Sequence, residues 1–473
     1  MKRLHAIELP EQEIVHQKEL MHEFAALEVR PRTYFVVTYG CQMNAHDSEK
    51  LAGMLQEMGM QEAQNRETAD FVIFNTCCVR DNAQRRALGN VVWLKELKKH
   101  RPEMMVAVCG CMMQQPGMGQ QILRQYSFVD VAFGTHNLYR FAQLMLQAVK
   151  SRRRVVEVLQ DDDGSIPEDL PVLRSSPYHA YITIMYGCNN FCSYCIVPYV
   201  RGRERSRASA RINEEARQLY ADGVKEIMLL GQNVNSYGLD VEGEMSFAQL
   251  LAALDEIGIE RIRFMTSHPK DISDELIDVM AKSKHICHSL HLPVQHGNNR
   301  ILQSMNRRYT REKYLERVNA IRTKMPDISL TTDLIVGYPG ETEAEFEDTC
   351  SLVRQVGYDS AFTFIYSPRI GTRAADMPDQ IPEEVSSKRI QKLIATQKES
   401  THERYAKYVG QIHSVLVDEA SKRDALQMAG KNEYNITVNF PGTAELIGSI
   451  VKVKITSAGE STLRGEMIEH NEI

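Results

Sequence analysis

Three short apolar runs near the start of the chain each end in cysteine. TYFVVTYGC ends at Cys41, DFVIFNTCC at Cys77 and Cys78, and MMVAVCGC at Cys111, with Cys109 two residues earlier. Each run has the length and apolar character of a buried parallel strand. The stretches DSEKLAGMLQEMG and DNAQRRALGNVVWLKELKK between them have helical spacing, so the order strand, helix, strand, helix, strand predicts a doubly wound α/β domain. The carboxyl ends of such strands line one crevice, so we expect the cysteines to converge there.

The same patterns divide the whole chain. Residues 1–32 form an amino-terminal extension, 33–150 hold the doubly wound domain, and 151–177 are a charged linker. Within 178–408, six strand candidates alternate with helical patterns: AYITIMYG, EIMLLG, RIRFM, CHSLHLP, SLTTDLIVG and AFTFIYS. Six such units predict an open, partial (β/α)6 barrel with its site at the carboxyl ends of the strands. Short alternating runs in 409–473, such as NITVNF and SIVKVKIT, predict a small β barrel.

Composition excludes several classes of protein. With 473 residues and 43% hydrophobic content, the chain can bury a large core. Its formal charge of -6 gives no global basic field, so binding of nucleic acid needs local patches. The amino terminus has no apolar signal, and no stretch reaches membrane-spanning length. We therefore expect a cytoplasmic protein without a membrane partner, whose ten cysteines are reduced and serve as metal or redox groups more readily than as disulfides.

Candidate metal ligands are concentrated in YGCNNFCSYC, where Cys188, Cys192 and Cys195 lie within eight residues. Three thiolates at this spacing can ligate three irons of a cubane 4Fe-4S cluster and leave the fourth iron open. A small molecule with an amino and a carboxylate group can chelate an open metal position of this kind. Two other interpretations stay open at this point: a three-ligand zinc site, and buried thiols that pack as small hydrophobic groups.

Motifs along nearly the whole chain resemble those of radical S-adenosylmethionine (SAM) methylthiotransferases. The cysteine loop continues as IVPYVRGRERSR, which is similar to the radical SAM signature. TYGCQMNAHDSE, NTCCVR and CGCM resemble the amino-terminal methylthiotransferase domain, and the segment from about Val409 through TLRGE resembles a TRAM β barrel. CQMN and NTC-x-VR further resemble the branch that acts on isopentenyladenosine in tRNA, since the branch that modifies a ribosomal protein typically has Pro-Lys-Asn after the first cysteine.

The resemblance implies SAM and two Fe-S clusters of the 4Fe-4S type as cofactors. The ligands of the SAM-cleaving cluster match the loop thiols, Cys188, Cys192 and Cys195. The ligands of an auxiliary cluster match Cys41, Cys77 and Cys111. Two motifs carry a spare thiol, Cys78 or Cys109. We prefer Cys77 for its position in NTC and Cys111 for its position in GC, and alternation along a strand points Cys77 and Cys78 to opposite sides.

Residues that follow the strands of the partial barrel are candidates for cofactor binding. The family places contacts to the SAM amino group after the second strand, where GQNVNSYG offers Gly231, Gln232 and Asn233; an ordinary Gly-Asn turn is the alternative. The other candidates are Tyr194 in the cysteine loop, Gln295 after the fourth strand, and Asp333 and Gly337 in the fifth strand and its following turn. Gly337 permits a close backbone approach to an adenine or ribose, whereas Asp333 can instead cap a strand end.

Candidate contacts to RNA are local. RGRERSRASAR places Arg201, Arg203 and Arg205 beside the cysteine loop, where they can hold phosphates around a reacting base; a solvated charged loop is the alternative. From Val409 onward the chain has six Lys plus Arg against nine Asp plus Glu. An RNA role for the last segment therefore rests on resemblance, through a restricted face that contains Lys422, Arg423 and Arg464.

The resemblance also implies a reaction. One electron enters the loop cluster, SAM breaks into methionine and a 5'-deoxyadenosyl radical, and this radical removes hydrogen from C2 of N6-isopentenyladenosine next to the tRNA anticodon. Sulfur from the auxiliary cluster and a methyl group from a second SAM complete a methylthio group. The implied partners are the tRNA anticodon stem-loop, an electron donor such as flavodoxin or ferredoxin, and a sulfur or cluster-assembly donor.

Two alternatives accompany this interpretation. The first keeps the chemistry and changes the substrate, to threonylcarbamoyl-adenosine in tRNA or to an aspartate of a ribosomal protein. The second is a non-catalytic, RNA-binding iron-sulfur carrier. A carrier needs neither a partial barrel nor the GQN and GYPG motifs at its mouth, so we favour an enzyme.

Overall fold

Three groups of strands follow one another along the chain. The computed structural model describes residues 7–78, 81–159, 165–421 and 426–468. Its amino-terminal region contains a six-stranded parallel sheet. Its middle region contains a pair of three-stranded parallel sheets, and its carboxy-terminal region contains a closed barrel. Among the described residues, no helix is both long enough and apolar enough to cross a membrane.

The amino-terminal sheet has the order β3-β2-β4-β5-β6-β7. A short first strand, β1 (Ile7–Glu8), lies outside it. The strands of the sheet are β2 (Thr33–Thr38), β3 (Gln61–Glu62), β4 (Phe71–Thr76), β5 (Met105–Gly110), β6 (Val131–Phe133) and β7 (Val155–Glu157). The helices of this region are α1 (Glu11–Ala25), α2 (Gln42–Glu57), α3 (Asp81–His100), α4 (Met118–Gln125) and α5 (Phe141–Ser151).

Helices cover both faces of this sheet. On one face, Phe24 of α1, Leu55 of α2 and Phe141 of α5 share a core. On the other face, Leu94 of α3 and Ile122 of α4 share a second core. The doubly wound prediction is therefore confirmed. The chain adds β3 on one side of β2 and β4 to β7 on the other, so the strand order reverses at β2, and ligands of open α/β sheets bind at such a point.

The structure corrects the predicted limits of the first domain. β7 belongs to the sheet although it lies beyond residue 150, and β8 (Ser165–Ile166) pairs with β1. The predicted linker, 151–177, therefore contains two paired strands. Within the predicted amino-terminal extension, α1 packs against the core, because it buries Met21 and Phe24.

The middle region has six parallel strands, as predicted. They are β9 (His179–Thr183), β12 (Glu226–Leu230), β13 (Arg261–Phe264), β14 (Ser289–His291), β15 (Ser329–Val336) and β16 (Ser360–Ile365). A parallel bridge between Ile262 and Ile286 connects the sheet β9-β12-β13 to the sheet β14-β15-β16. The result is an open (β/α)6 barrel.

The remaining elements of this region connect and cover the strands. A small antiparallel pair consists of β10 (Met185–Tyr186) and β11 (Arg205–Ser206). The helices are α6 (Val197–Val200), α7 (Ser209–Ala221), α8 (Phe247–Asp255), α9 (Asp274–Lys282), α10 (Asn299–Ser304), α11 (Arg311–Lys324), α12 (Glu343–Val356) and α13 (Glu383–Ala406). Along the described chain, single 3-10 turns lie at Leu138–Arg140, Val234–Ser236, Pro269–Asp271, Arg373–Asp376 and Ala444–Leu446.

Side-chain alternation along β15 identifies the inner face of the open barrel. Leu330 and Leu334 pack in the core that also contains Phe346 of α12. Thr331 and Asp333 alternate with them and are partly exposed. Since successive side chains of a strand point to opposite faces, Thr331 and Asp333 lie on the inner face.

The carboxy-terminal region is the predicted small barrel, closed in the order β17-β18-β19-β21-β20. Its strands are β17 (Ile412–Ala420), β18 (Gln427–Asn432), β19 (Thr437–Pro441), β20 (Ile450–Ala458) and β21 (Thr462–Met467). Two buried arginines of β13 hold it against the open barrel. Arg261 donates to the carbonyl oxygens of Lys431 and Ser414 at 2.7 and 2.6 Å, and Arg263 donates to that of Asn432 at 2.7 Å.

A histidine at the same junction makes the docking of the small barrel pH-dependent. His179 lies 2.7 Å from Asp418 of the small barrel and 3.4 Å from Glu226. Burial alone lowers the pKa of His179, but the two carboxylates outweigh burial and raise the pKa to about 9. Because an unfolded histidine has a pKa of about 6.5, the contact stabilises fully below about pH 6.5 and is lost as the pH rises through about 9.

We predict that the melting temperature falls more between pH 7 and pH 10 in the native protein than in a His179→Gln variant. The expected difference in stability is about 1–2 kcal/mol, since His179 is partly screened by solvent. Calorimetry measures it, with His402→Gln, an exposed change on α13, as the matched control. Equal pH dependence in the native protein and in His179→Gln would contradict the prediction.

Candidate active site

The cysteine loop follows β10 and is held in place by backbone hydrogen bonds. Gly187 opens the loop with a φ of +69°, and a Cβ atom there would lie 1.9 Å from the carbonyl oxygen of Arg203. The Cys188 N–H donates to the carbonyl of Gly202 at 3.1 Å, and the Cys195 N–H donates to that of Cys192 at 2.9 Å. Cys188 and Cys192 are buried and Cys195 is half-buried. The loop is thus a fixed cradle whose thiols are largely shielded from water.

A buried arginine contacts this cradle. Arg307 Nη1 donates to the sulfur of Cys192 at 3.3 Å, and its Nη2 donates to the carbonyl of Pro293 at 2.7 Å. Its Nε donates to the hydroxyl of Tyr309 at 3.0 Å. Sequence reasoning missed Arg307, because nothing in the stretch NRRYT distinguishes it from its exposed neighbour Arg308.

The donor set fits an iron-sulfur cluster. Burial raises the pKa of Cys188 to about 12 and that of Cys195 further, while Arg307 acts on Cys195 in the opposite direction. A metal stabilises the thiolate form against this burial cost. Within the described ranges, no three Cys, His, Asp or Glu side chains converge on a point that one ion could occupy. Each of the three thiols can bind a separate iron of a cubane, which needs no such convergence.

The second set of thiols lies where the order of the first sheet reverses. Cys41 immediately precedes α2, Cys77 follows β4, and Cys111 follows β5. The pKa of Cys111 is raised to about 12, chiefly by burial; Arg201 acts in the opposite direction, and Cys77 and Cys41 are close enough to add to the rise. Cys41 is exposed, whereas the other two are buried. All three stand at the carboxyl ends of adjacent strands, as the sequence predicted.

The two spare thiols lie in the hydrophobic cores on opposite sides of the sheet. Cys78 packs with Val91 of α3, and its sulfur lies 3.4 Å from the carbonyl oxygen of Cys111. Cys109 packs in the core that contains Phe133. Cys111 packs in the same core as Cys78, so the preference for Cys77 and Cys111 as ligands stays a prediction.

The structure overturns two of the predicted phosphate contacts. Arg201 is only 6% exposed, and Arg205 only 5%. Arg201 Nε donates to the sulfur of Cys111 at 3.1 Å, and Nη2 lies 2.7 Å from both the Asn44 amide oxygen and the Asp47 carboxylate. Arg205 donates to the carbonyls of Ser165 and Arg201. Both side chains are committed to the junction between the first sheet and the open barrel.

The other predicted RNA contacts have different outcomes. Arg203 is half-buried and its guanidinium lies 4.2 Å from the ring centre of Phe191 in the cysteine loop. Arg464 is exposed on β21. Lys422 and Arg423 lie outside the described residues. Arg203 and Arg464 therefore stay candidates for RNA.

Two predicted cofactor residues have structural tasks. The amide of Asn233 donates to Asp271 at 2.7 Å and accepts the N–H of His268 at 3.0 Å, so it joins the loops that follow β12 and β13. A Cβ atom at Gly337 would lie 2.3 Å from the hydroxyl of Ser386 on α13. The glycine therefore permits helix α13 to approach the turn, and its contact with a nucleoside stays a prediction.

The remaining cofactor candidates lie around the carboxyl ends of the strands. Gly231 is buried and Gln232 half-buried directly after β12. The backbone of Gln295, at a φ of +71°, bridges to β15 next to Asp333. Tyr194 packs against the small apolar cluster that includes Phe364 of β16. Their contacts to a cofactor stay predictions.

An acidic and a basic group meet on the inner face of the open barrel. Asp333 lies 3.6 Å from Nε2 of His291, and the other ring nitrogen of His291 lies 2.9 Å from the hydroxyl of Thr331. Phe362 of β16 lies opposite Asp333 in register, with its ring 6.0 Å from that of His291. Sequence reasoning missed His291 because its spacing matches no ligand pattern; its alternation with buried Leu290 and Leu292 was the available signal.

Comparisons with known proteins agree with this geometry. The Radical SAM superfamily matches residues 182–353, the uncharacterized protein family UPF0004 matches 33–134, and the TRAM domain matches 406–468. The radical S-adenosylmethionine methyltransferase TsrM from Kitasatospora setae, solved with cobalamin and a [4Fe-4S] cluster, has a similar fold at a TM-score of 0.53. It is 15% identical, and the alignment covers 73% of this chain and 74% of that one. The chain is therefore a radical SAM protein.

Curated relatives narrow the class to one family. The chain is 49% identical, over 98% of both chains, to the tRNA-2-methylthio-N(6)-dimethylallyladenosine synthase of Thermoanaerobacter sp. (strain X514). It is 52% identical to the synthase of the same name from Lachnoclostridium phytofermentans, over 93% of this chain and 96% of that one. The chain belongs to the family of tRNA-2-methylthio-N(6)-dimethylallyladenosine synthases.

We predict that Arg307→Gln lowers the reduction potential of the cluster in the cysteine loop. The substitution removes a positive charge and a hydrogen bond to sulfur, both of which favour the reduced cluster. The expected shift is at least about 59 mV, a tenfold change for one electron. An EPR redox titration in a Cys77→Ala background measures it, with Arg308→Gln as the exposed control. An unchanged potential in Arg307→Gln would contradict the prediction.

We predict that alanine variants separate the auxiliary ligands from the spare thiols. After anaerobic reconstitution, the native chain should hold about eight irons, and Cys77→Ala or Cys111→Ala about four. Cys78→Ala and Cys109→Ala are the matched controls and should keep about eight. Iron analysis measures the difference, and loss of iron in either control would identify that thiol as a ligand.

Proposed function

We propose that the protein converts N6-isopentenyladenosine next to the tRNA anticodon to its 2-methylthio derivative. The observation that carries this proposal is the proximity of the two thiol sets. Arg201 stands six residues after Cys195 in the chain, and its side chain contacts the sulfur of Cys111. One segment thus connects a site suited to SAM cleavage with a site suited to holding sulfur. Identity of about one half to the named synthases, over nearly the full chain, supports the same substrate.

The residues of the chain hold and shield the reacting groups. When bound, the clusters and SAM supply the electron, the 5'-deoxyadenosyl radical, the sulfur and the methyl group. Cys188, Cys192 and Cys195 would hold one cluster, and the auxiliary cluster would be held by Cys41, Cys77 and Cys111. Arg307 fixes the Cys192 sulfur, and the backbone bonds of the loop hold its largely buried thiols in place, which helps to shield a reactive radical from water.

The inner face of the open barrel suits a prenylated adenine. Phe362 is 45% exposed there, although β16 is a strand of the barrel. An aromatic ring at this place can stack on a base splayed out of the anticodon loop and contact an apolar isopentenyl group. Asp333 and His291, which share this face, offer hydrogen bonds to the edge of the base. Arg203 and Arg464 would contact phosphates on either side of the site.

The reaction requires partners beyond tRNA. We propose an electron donor such as flavodoxin or ferredoxin for the cysteine-loop site. A sulfur or cluster-assembly donor would restore the auxiliary site after each turnover. With tRNA as substrate, we place this activity in the cytoplasm.

Nucleoside mass spectrometry tests the proposal. The reconstituted protein is incubated anaerobically with SAM, reductant and isopentenylated tRNA that lacks the methylthio group. We expect conversion of isopentenyladenosine to its methylthio form. Formation of 5'-deoxyadenosine without conversion would keep the radical chemistry and reject the substrate. Threonylcarbamoyl-adenosine tRNA and ribosomal protein would then be tested.

We predict that two cysteine variants divide the reaction. Cys188→Ala should abolish 5'-deoxyadenosine, because the site of SAM cleavage is lost. Cys41→Ala should still form 5'-deoxyadenosine but give no methylthio product, because only the auxiliary site is damaged. Chromatography of 5'-deoxyadenosine and mass spectrometry of the nucleoside measure the two outcomes. Loss of both products in both variants would contradict this division.

A further inference from the structure

A small cavity lies at the junction between the first sheet and the open barrel. Its walls include Asp47 and Lys50 of α2, Tyr186 of β10, and Arg201 and Arg205. Its volume is about 40 Å³, room for about three water molecules. Partly exposed residues, including Thr135, His136 and Tyr139, also line the cavity. Arg201 connects the cavity to the auxiliary site, because the same guanidinium contacts Cys111.

Lys50, Arg201 and Asp47 are charged side chains of this cavity that are less than 9% exposed. Asp47 is the single carboxylate among the described lining residues. Asp47 is paired with Arg201 at 2.7 Å. The neighbouring Arg207 adds no unbalanced charge, because Glu168 and Glu215 lie 2.6 and 2.8 Å from it. Among the described residues, no carboxylate lies within salt-bridge distance of Lys50, whose close partner is the hydroxyl of Tyr186. A buried cation without a close counterion is costly, so the cavity is suited to a small anion.

Lys50 is the residue best placed to hold such an anion. Its Nζ lies 3.2 Å from the hydroxyl of Tyr186, and an ammonium group has three N–H donors. Burial lowers the pKa of Lys50, but Tyr186 and Asp47 outweigh burial and keep the pKa above its ordinary value. Lys50 is therefore charged at neutral pH. The Tyr186 ring, 5.8 Å from both Lys50 and Arg205, holds the two cations on one wall.

We propose that this cavity binds hydrosulfide on its way to the auxiliary site. The inference rests on the proposed function, which consumes one sulfur atom for each product molecule. Hydrosulfide is the sulfur anion whose single heavy atom fits a space of about three waters, and it bears the charge that balances Lys50. The site requires no covalent step: it raises the local concentration of the anion beside Cys111.

Anomalous X-ray scattering tests the site directly. Crystals of the reconstituted protein are soaked in bromide, or in hydroselenide as a heavier analogue of hydrosulfide. We expect a peak for either anion beside Lys50. It should disappear in Lys50→Met, persist in Lys50→Arg, and persist in Lys95→Met, an exposed lysine-to-methionine control on α3. A native protein without a peak for either anion would overturn the proposal, and a bromide peak without a hydroselenide peak would mean an adventitious ion only.

Kinetics over several turnovers tests the role. With NaHS as the sulfur source, the KM for hydrosulfide should rise at least tenfold in Lys50→Met. The factor by which the KM rises should exceed the factor by which the amplitude of the first turnover changes. Iron content and melting temperature identify a variant that fails to fold, and Lys50→Arg should then restore the low KM. An unchanged KM in a folded Lys50→Met would overturn the role. Absence of methylthio product in the native protein, with hydroselenide bound in the cavity, would overturn the proposed function and leave the anion site standing.

Discussion

The buried guanidinium of Arg201 joins the two halves of the site. It leaves the open barrel, enters the crevice of the first sheet and contacts Asp47, Asn44 and Cys111. A buried cation requires such partners, since an uncompensated charge in a protein interior costs several kcal/mol. The segment that leads into the open barrel supplies the cation, and the amino-terminal region supplies its partners. The interaction therefore fixes the relative position of the sheet and the barrel, and with it the spacing of the two thiol sets.

A common design connects these thiol sets. In each set one sulfur accepts a hydrogen bond from a buried arginine: Cys192 from Arg307, and Cys111 from Arg201. Neither arginine belongs to the cysteine motif that it serves. Charge and hydrogen bonds to sulfur are among the levers by which a protein sets the potential of an iron-sulfur cluster. The motifs thus supply ligands, while residues distant in sequence set the electrostatic surroundings of those ligands.

Sequence periodicity predicts the fold well where elements are long and strongly patterned. The three strands that end in cysteine, the six strands of the open barrel and the final closed barrel are all recognisable. β3 and β6, which have two and three residues, are not, because so short a run carries no period. β7 is hidden in the apparent linker for the same reason and because charged residues surround it.

The contacts of individual side chains are harder to predict than the helices and strands. A run of arginines shows charge but not burial, so the sequence wrongly favours phosphate contacts for Arg201 and Arg205, which both face the protein interior. At Gly337 the glycine signals a close approach without naming the neighbour, which in the structure is Ser386. Arg307 and His291 depend on contacts made across strands. Only the folded chain brings those contacts together.

The attachment of the small barrel has an evolutionary consequence. Arg261 and Arg263 donate hydrogen bonds to the backbone carbonyl oxygens of Ser414, Lys431 and Asn432. Every amino acid carries such an oxygen. Substitutions at those positions leave the acceptors of these hydrogen bonds in place. The side chains on the outer surface of the small barrel can therefore diverge without altering these three hydrogen bonds, which depend on the backbone of the small barrel alone.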